Sequence, residues 1–255
     1  MESFIVFRRY IAEDEYHCKE LLKNGTLSLT NKVFFTKFDI QNGAPLLLWI
    51  CMAMLYLIIC IDIYYYMIML TALVSLYIIT LAIMWKRVEK IQREVSDIMK
   101  IYMSDKSTCF WIAETFQLRS IDPSKKNYYL FITEEEFDNY DINVFAYDRK
   151  IIATIGLYKH NKIPNAAIIK RLFVHKEFRR VRIGSRLLNL ALIFASNNGY
   201  DCANIILSKY MNEAMNMINT KGFKLHKKHK LSFFNSLMAI PNYEYMYPLK
   251  HNIKE

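Results

Sequence analysis

From Ala44 to Trp85 the chain keeps apolar or aromatic side chains at nearly every position, 42 residues carrying one charge, Asp62. On either side, hydrophobic positions recur in the alternating and three-and-four spacings of soluble strands and helices. A helix of that length would reach about 63 Å, roughly twice the hydrocarbon core of a bilayer. Divided at Asp62, the run leaves 18 residues from Ala44 to Ile61 and 23 from Ile63 to Trp85, each long enough to span. The pattern predicts a transmembrane helical hairpin over 44–85, apolar all round instead of striped. A buried helical pair in a soluble core and a shallow re-entrant loop are the competing readings. Trp49, Trp85 and the cluster Tyr64, Tyr65, Tyr66 lie toward span ends, where amphipathic rings favour the water interface.

Charge supplies an orientation. Lys86, Arg87, Lys90, Arg93 and Lys100 follow the run, Lys32 and Lys37 precede it, and the turn near Asp62 carries no base. Both flanks are therefore expected in the cytosol, with the endoplasmic reticulum as the expected membrane. Glu2 and the pair Arg8, Arg9 interrupt any early apolar core, so no cleavable signal peptide is read. Asn24, in the sequon Asn24-Gly25-Thr26, is read as an accessible turn that stays unglycosylated on the cytosolic side.

The 255 residues, less the hairpin, leave about 210 for one globular domain. The five cysteines (Cys18, Cys51, Cys60, Cys109, Cys202) are scattered and form no ligand spacing with the six histidines, which argues against a disulfide framework or a metal site. A formal charge of +10 fits nucleic acid, anionic lipid or a polyanionic cofactor equally. Its distribution narrows the choice, and no nucleic-acid partner is expected. The apolar stretch Ala166 to Val174 runs into His175-Lys176-Glu177-Phe178-Arg179-Arg180-Val181-Arg182-Ile183-Gly184-Ser185. Ile183, Leu187, Leu188, Ala191, Leu192 and Ala195 then repeat at helical spacing. Strand, basic loop and helix start together put free backbone N–H groups and a positive dipole end where a pyrophosphate could sit, although many such loops bind nothing.

The run from Arg179 through Arg182 to Gly184 resembles the acetyl-CoA loop of the GCN5-related N-acetyltransferases, the GNAT family: Gln or Arg, two residues, Gly, one residue, Gly or Ala. Glu94 to Glu114, Gly222-Phe223 and the tail Tyr243 to Leu249 resemble its membrane-bound camello-type branch, which includes cysteine-S-conjugate and aspartate N-acetyltransferases. That resemblance implies an α/β fold, a mixed sheet with helices on both faces, with a transmembrane hairpin inserted near the N-terminus. Residues 1–43 would hold the first strand (Phe4 to Tyr10) and helix (Asp14 to Leu22), 44–85 the hairpin, and 86–255 the remainder. Within the remainder, Lys86 to Met103 is an amphipathic helix with Val88, Ile91, Val95, Ile98 and Tyr102 inward, and Cys109 to Thr115 is a strand. If the first strand pairs with that later one, the chain crosses the membrane an even number of times, in agreement with the charges.

Residues 116–141, with Glu134, Glu135 and Glu136, look inserted relative to the family. Val144 to Tyr147 and Ile151 to Tyr158 read as a hairpin turning at Asp148-Arg149-Lys150. Asn204 to Leu207 reads as a strand and Asn212 to Thr220 as a helix. Lys227, Lys228, His229 and Lys230 read most simply as a solvated turn before a closing strand pair.

The implied reaction is attack of an amine on the thioester of acetyl-CoA. An amine with a pKa near 10 must first lose a proton. Backbone N–H groups near Phe173 and Val174 are the candidate oxyanion donors, and Leu172, Phe173, Val174 and Arg179, Arg180, Val181, Arg182, Ile183, Gly184, Ser185 the candidate cofactor contacts. Glu114 either organises the amine or merely marks a strand end; Tyr210 is a candidate proton donor to the leaving thiolate. Two positions depart from the family. Arg182 replaces the first loop glycine, where a positive φ would cost roughly 1–2 kcal/mol or the guanidinium would add a phosphate contact. Ile218 stands where the family has a tyrosine that protonates the thiolate. Two functions follow: a membrane-anchored N-acetyltransferase for a small amphiphilic amine or protein lysines, or a noncatalytic acetyl-CoA-binding or interaction protein.

Overall fold

A computed structural model describes residues 3–30, 50–56, 63–118, 129–139, 144–208, 211–228 and 242–249. Strands are β1 (Ser3–Arg9), β2 (Cys109–Leu118), β3 (Leu130–Thr133), β4 (Tyr147–Lys159), β5 (Ala166–Val174), β6 (Cys202–Ser208), β7 (Lys224–Lys228) and β8 (Asn242–Pro248). Helices are α1 (Glu15–Leu27), α2 (Ile63–Ser96), α3 (Ile98–Tyr102), α4 (Glu134–Asn139), α5 (Ile183–Asn197) and α6 (Asn212–Thr220). The strands form one mixed sheet ordered β3-β1-β2-β4-β5-β6-β8-β7. Strands β1 and β2 pair antiparallel from Ser3↔Gln117 to Arg9↔Trp111, so the segments flanking the apolar run belong to one sheet.

Alternation along the strands feeds two cores. Trp111, Ala113, Ile155, Ala167 and Ile169 pack under Leu187, Leu188, Ala191 and Ile218 of α5 and α6. On the opposite face Phe110 and Ile112 meet Cys18, Leu21 and Leu22 of α1 and Val95, Ile98 and Tyr102 of α2 and α3. Val88, Val95, Ile98 and Tyr102 are buried, with Ile91 partly so, which is the three-and-four stripe read from the sequence; Met84, one turn earlier, is buried as well. Gly156 admits this layer: a Cβ there would lie 2.6 Å from the Tyr102 ring and 2.8 Å from that of Phe110. Burial pushes the Cys18 thiol up to about 12 and that of Cys109 to about 11, so both remain inert thiols.

Several elements differ from expectation. The helix does not end with the apolar stretch at Trp85; α2 continues unbroken to Ser96, because Lys86, Arg87 and Glu89 interrupt hydropathy but not helical propensity. Residues 50–56 are helical, while the proposed division at Asp62 lies outside the described residues. Asp148, Arg149 and Lys150 form no turn. They continue β4 opposite Gln117, Phe116 and Thr115 of β2, with side chains exposed but backbones paired. Val144–Ala146 is a 3-10 turn, not a strand. Part of the stretch read as an insertion belongs to the sheet: β2 extends to Leu118, and β3 pairs parallel with β1 before α4 begins with the three glutamates. Lys227 and Lys228 lie within β7, while His229 and Lys230 lie outside the described residues. Asn24 sits on α1, not in a turn, and Gly25 faces inward, where a Cβ would come within 2.0 Å of Phe173.

Candidate active site

The cleft is built by a mismatch of strand lengths. Strand β5 pairs with β6 only from Ala166↔Cys202 to Ile169↔Ile205. Beyond it, Lys170, Phe173 and Val174 pair with β4, and Ile206 to Ser208 pair with β8. The splay exposes the β6-facing edge of β5 over its last five residues, including Leu172, Phe173 and Val174. A bulge marks where it begins, with the register shifting between Thr154 and Gly156 and Arg171 at φ 56°. Thr154 Oγ1 donates to the Arg171 carbonyl at 2.8 Å, and the Arg171 guanidinium pairs with Glu94 at the end of α2. Glu94 also accepts from the Tyr102 hydroxyl at 2.6 Å. Burial would raise the Glu94 pKa, but the charge of Arg171 and the Tyr102 hydrogen bond outweigh it and hold the carboxyl below its usual range.

At the mouth of the cleft the chain leaves β5 through His175 and a single 3-10 turn, Lys176–Phe178, then enters α5. Phe178 is buried and anchors the turn, while Arg179, Arg180, Val181 and Arg182 face solvent. Arg180 and Arg182 have φ of 69° and 65°. Left-handed backbone costs an ordinary residue roughly 1–2 kcal/mol, so the loop keeps the glycine conformation with arginine in place. Ile183, Gly184 and Ser185 open α5, and the first intrahelical bond runs from the Arg186 N–H to the Arg182 carbonyl at 3.0 Å. The N–H groups before it have no intrahelical acceptor, the arrangement by which a helix start can receive an anion.

Arg179 bends back across the strand end. Its Nε donates to the Val174 carbonyl at 3.1 Å, and its guanidinium lies 5.9 Å from the Phe173 ring centre. Across the cleft, Glu213 in the first turn of α6 lies 3.2 Å from Arg180 and 3.9 Å from Arg179. Burial, then the nearby Lys150, lower the His175 pKa, which keeps the imidazole neutral at neutral pH.

Glu114 is not at a strand end. It lies inside β2 at a bulge, buried, with both oxygens engaged: Arg8 Nε donates to Oε2 at 2.9 Å and Arg149 Nε to Oε1 at 3.0 Å. Arg8 also grips Asp14 through two hydrogen bonds of 2.7 and 2.8 Å. Burial pulls against the Arg8 charge, but Asp14 and Glu114 overcome it and raise its pKa above the ordinary value. Ile218 is fully buried in the core under α6. Tyr210 lies outside the described residues. Gly222, at φ 94°, ends α6, its N–H bonded to the Asn219 carbonyl at 2.9 Å, and Phe223 closes the turn onto Ile218 at 3.0 Å. That backbone need explains the Gly-Phe pair. Sequence reasoning missed Glu94, Arg171 and Glu213; of the three, Glu94 alone figured in it, as the first residue of the stretch that resembles the camello-type branch. Among the described residues, no group of three or more His, Cys, Asp or Glu could hold a metal ion.

A mixed sheet splayed beside a basic loop and a helix start defines an acyltransferase-like α/β fold. Residues 97–223 match the family model for "Acetyltransferase (GNAT) family", and the chain carries an acetyltransferase domain of that family. It is similar to the protein named "Probable N-acetyltransferase camello" in Xenopus tropicalis, 23% identical over 134 residues, covering 52% of this chain and 47% of that protein. A protein of the same name in Xenopus laevis is 24% identical over 185 residues, 69% of this chain and 64% of that one. The match thus spans less than two thirds of either relative. A crystal structure of a GNAT-family acetyltransferase from Staphylococcus aureus Mu50 aligns at TM-score 0.49 and 16% identity, over 96% of this chain and 99% of that one.

Proposed function

We propose that this protein transfers acetyl from acetyl-CoA to an amine, and that it works from a membrane. The observation that carries the reading is the splay of β5 from β6 with three arginines and the start of α5 at its mouth. These residues fit a polyanionic thioester: Arg179, Arg180 and Arg182 with the N–H groups of Ile183, Gly184 and Ser185 would hold the phosphates, and the group would bring an activated acetyl. An N–H group on the open, β6-facing edge of β5, along Leu172 to Val174, would steady the developing oxyanion. Glu114 is already saturated by Arg8 and Arg149, so its part is to fix β2 against β1 rather than to take a proton from the amine.

The membrane reading draws on α2, which among the described residues is the one helix long and apolar enough to cross a bilayer by length and composition. Its apolar turns point outward: Ile63 is 80% exposed and Ile78 57%. Exposed apolar area of that extent has no partner in water. Pairing of β1 with β2 requires both flanks on one side, which supports an even number of crossings. The flanking lysines and arginines favour the cytosolic face, with the endoplasmic reticulum as the compartment. The acceptor is read as a small amphiphilic amino-acid conjugate or a protein lysine.

A second reading, binding of acetyl-CoA without transfer, draws on the burial of Ile218 at the position where a proton donor is expected. Detergent-solubilised protein mixed with acetyl-CoA and a panel of amines decides between them. Amine-dependent release of CoA is expected; binding without release across the panel would leave the noncatalytic reading. Retention in the membrane after alkaline carbonate extraction is expected as well, and recovery in the soluble fraction would remove the anchor.

A further inference from the structure

The stretch 129–133 touches the basic loop at both of its ends, and we propose that it holds the loop in its left-handed shape, making Tyr129 a positioning residue for acetyl-CoA. The inference rests on the cofactor reading above. Arg180 and Arg182 both take positive φ, a conformation that neither side chain favours, so contacts outside the loop must over-determine it. The Tyr129 ring lies 5.8 Å from that of buried Phe178, one residue before Arg179. The Tyr129 hydroxyl accepts from Gln117 Nε2 at 3.1 Å, which ties the ring to β2. Two residues on, Phe131 stacks against Phe7 at 5.9 Å and lies 4.0 Å beneath the guanidinium of Arg186, whose N–H closes the first turn of α5 on Arg182. The segment therefore holds Phe178, two residues before the first strained position, and Arg186, one helical turn after the last, and leaves Arg179, Arg180 and Arg182 facing solvent. Glycine at 180 and 182 would need no such grip, which gives the apparently inserted region a role: it substitutes packing for backbone freedom.

The test uses the full-length protein in detergent, with hydrogen exchange read on the cofactor-free protein and acetyl-CoA binding read by calorimetry. Tyr129→Ala should speed exchange across 179–183 and raise the acetyl-CoA Kd about threefold to tenfold. Tyr129→Phe, which keeps the ring against Phe178 but loses the Gln117 hydrogen bond, should lie between wild type and Tyr129→Ala in both. In an Arg182→Gly background the same Tyr129→Ala change should alter Kd less, because glycine takes the left-handed shape unaided. Arg186→Gln, on an exposed helix face, repeats the exchange measurement from the other end of the loop and should also speed it. Unchanged exchange across 179–183 in both Tyr129→Ala and Arg186→Gln would overturn the inference whatever the ligand does. Failure of the wild type to bind acetyl-CoA would instead sink the cofactor reading.

Discussion

Two arginine–carboxylate clusters in this molecule use the same chemical groups for opposite ends. Around Glu114, Asp14 is buried and Arg8 mostly so, both carboxylate oxygens of Glu114 are occupied, and the most solvated partner is the half-exposed Arg149. Around Glu213, the carboxylate and the guanidinium of Arg180 are mostly in water, with Arg179 partly so, at longer distances. The first cluster is desolvated, so its charges are indispensable to one another and unavailable to anything else. The second is screened and loosely paired, so an incoming anion can take its place at little cost. Chemistry aimed at a ligand belongs in the second environment, even though the first holds the more conspicuous acid.

The largest expected effect is on the buried side. Glu114→Ala leaves Arg8 facing only Asp14 and should cost about 3–5 kcal/mol of stability, read as a lowered denaturation midpoint. A change below about 1 kcal/mol would mean that the cluster is wetter than its geometry implies. Next, Arg179→Ala should weaken acetyl-CoA binding by about 1–3 kcal/mol while leaving stability nearly unchanged. Equal affinity by calorimetry would take Arg179 out of the cofactor site.

A third test sits between the two environments. The Glu94 pKa is lowered in the folded protein, so the Arg171 contact is fully present above about pH 4.3 and is lost as pH falls through the folded value. Acid unfolding below that pH should be less steep in Glu94→Gln than in wild type. Equal slopes would mean that Arg171 and Tyr102 do not hold the carboxylate charged. The smallest effect is expected at Glu213. Glu213→Gln removes a carboxylate that competes with phosphate, so acetyl-CoA should bind about twofold to threefold tighter at low salt, with the gain fading as salt rises. Weaker binding would show that Glu213 instead steadies the arginines.

Local pattern carried much of this architecture. The spacing of Val88 to Tyr102 foretold one buried stripe, and the bounds of α6 and β5 agree with those read from periodicity and turn residues. Long-range pairing was not legible. Arg8 and Glu114 are 106 positions apart, and nothing in the run Cys109 to Glu114 announces that its acid meets two arginines. Asp148, Arg149 and Lys150 misled for a related reason. A strand end with both faces solvated has a polar sequence like that of a turn, although its backbone ladder continues. At Gly25, local sequence suggested a sequon turn, whereas the glycine is required by the Phe173 ring from a strand nearly 150 positions away. The loop glycine replaced by Arg182 was legible as a departure, with a positive φ as one of two readings of that site; the packing by Tyr129 and Phe131 was not legible.

Because α2 runs unbroken from Ile63 to Ser96, its exposed apolar turns and Glu94 share one rotational phase, like marks on a single shaft. Each residue added between Trp85 and Glu94 would turn one mark against the other by about 100° and part them by about 1.5 Å. A one-residue insertion therefore swings Glu94 away from Arg171 or turns the packed positions Thr80 and Met84 out of place, whereas seven residues, close to two full turns, restore the alignment to within roughly 20°. The bulge of β5 and the outward face of a helix more than two turns distant are thereby set in angular register with each other.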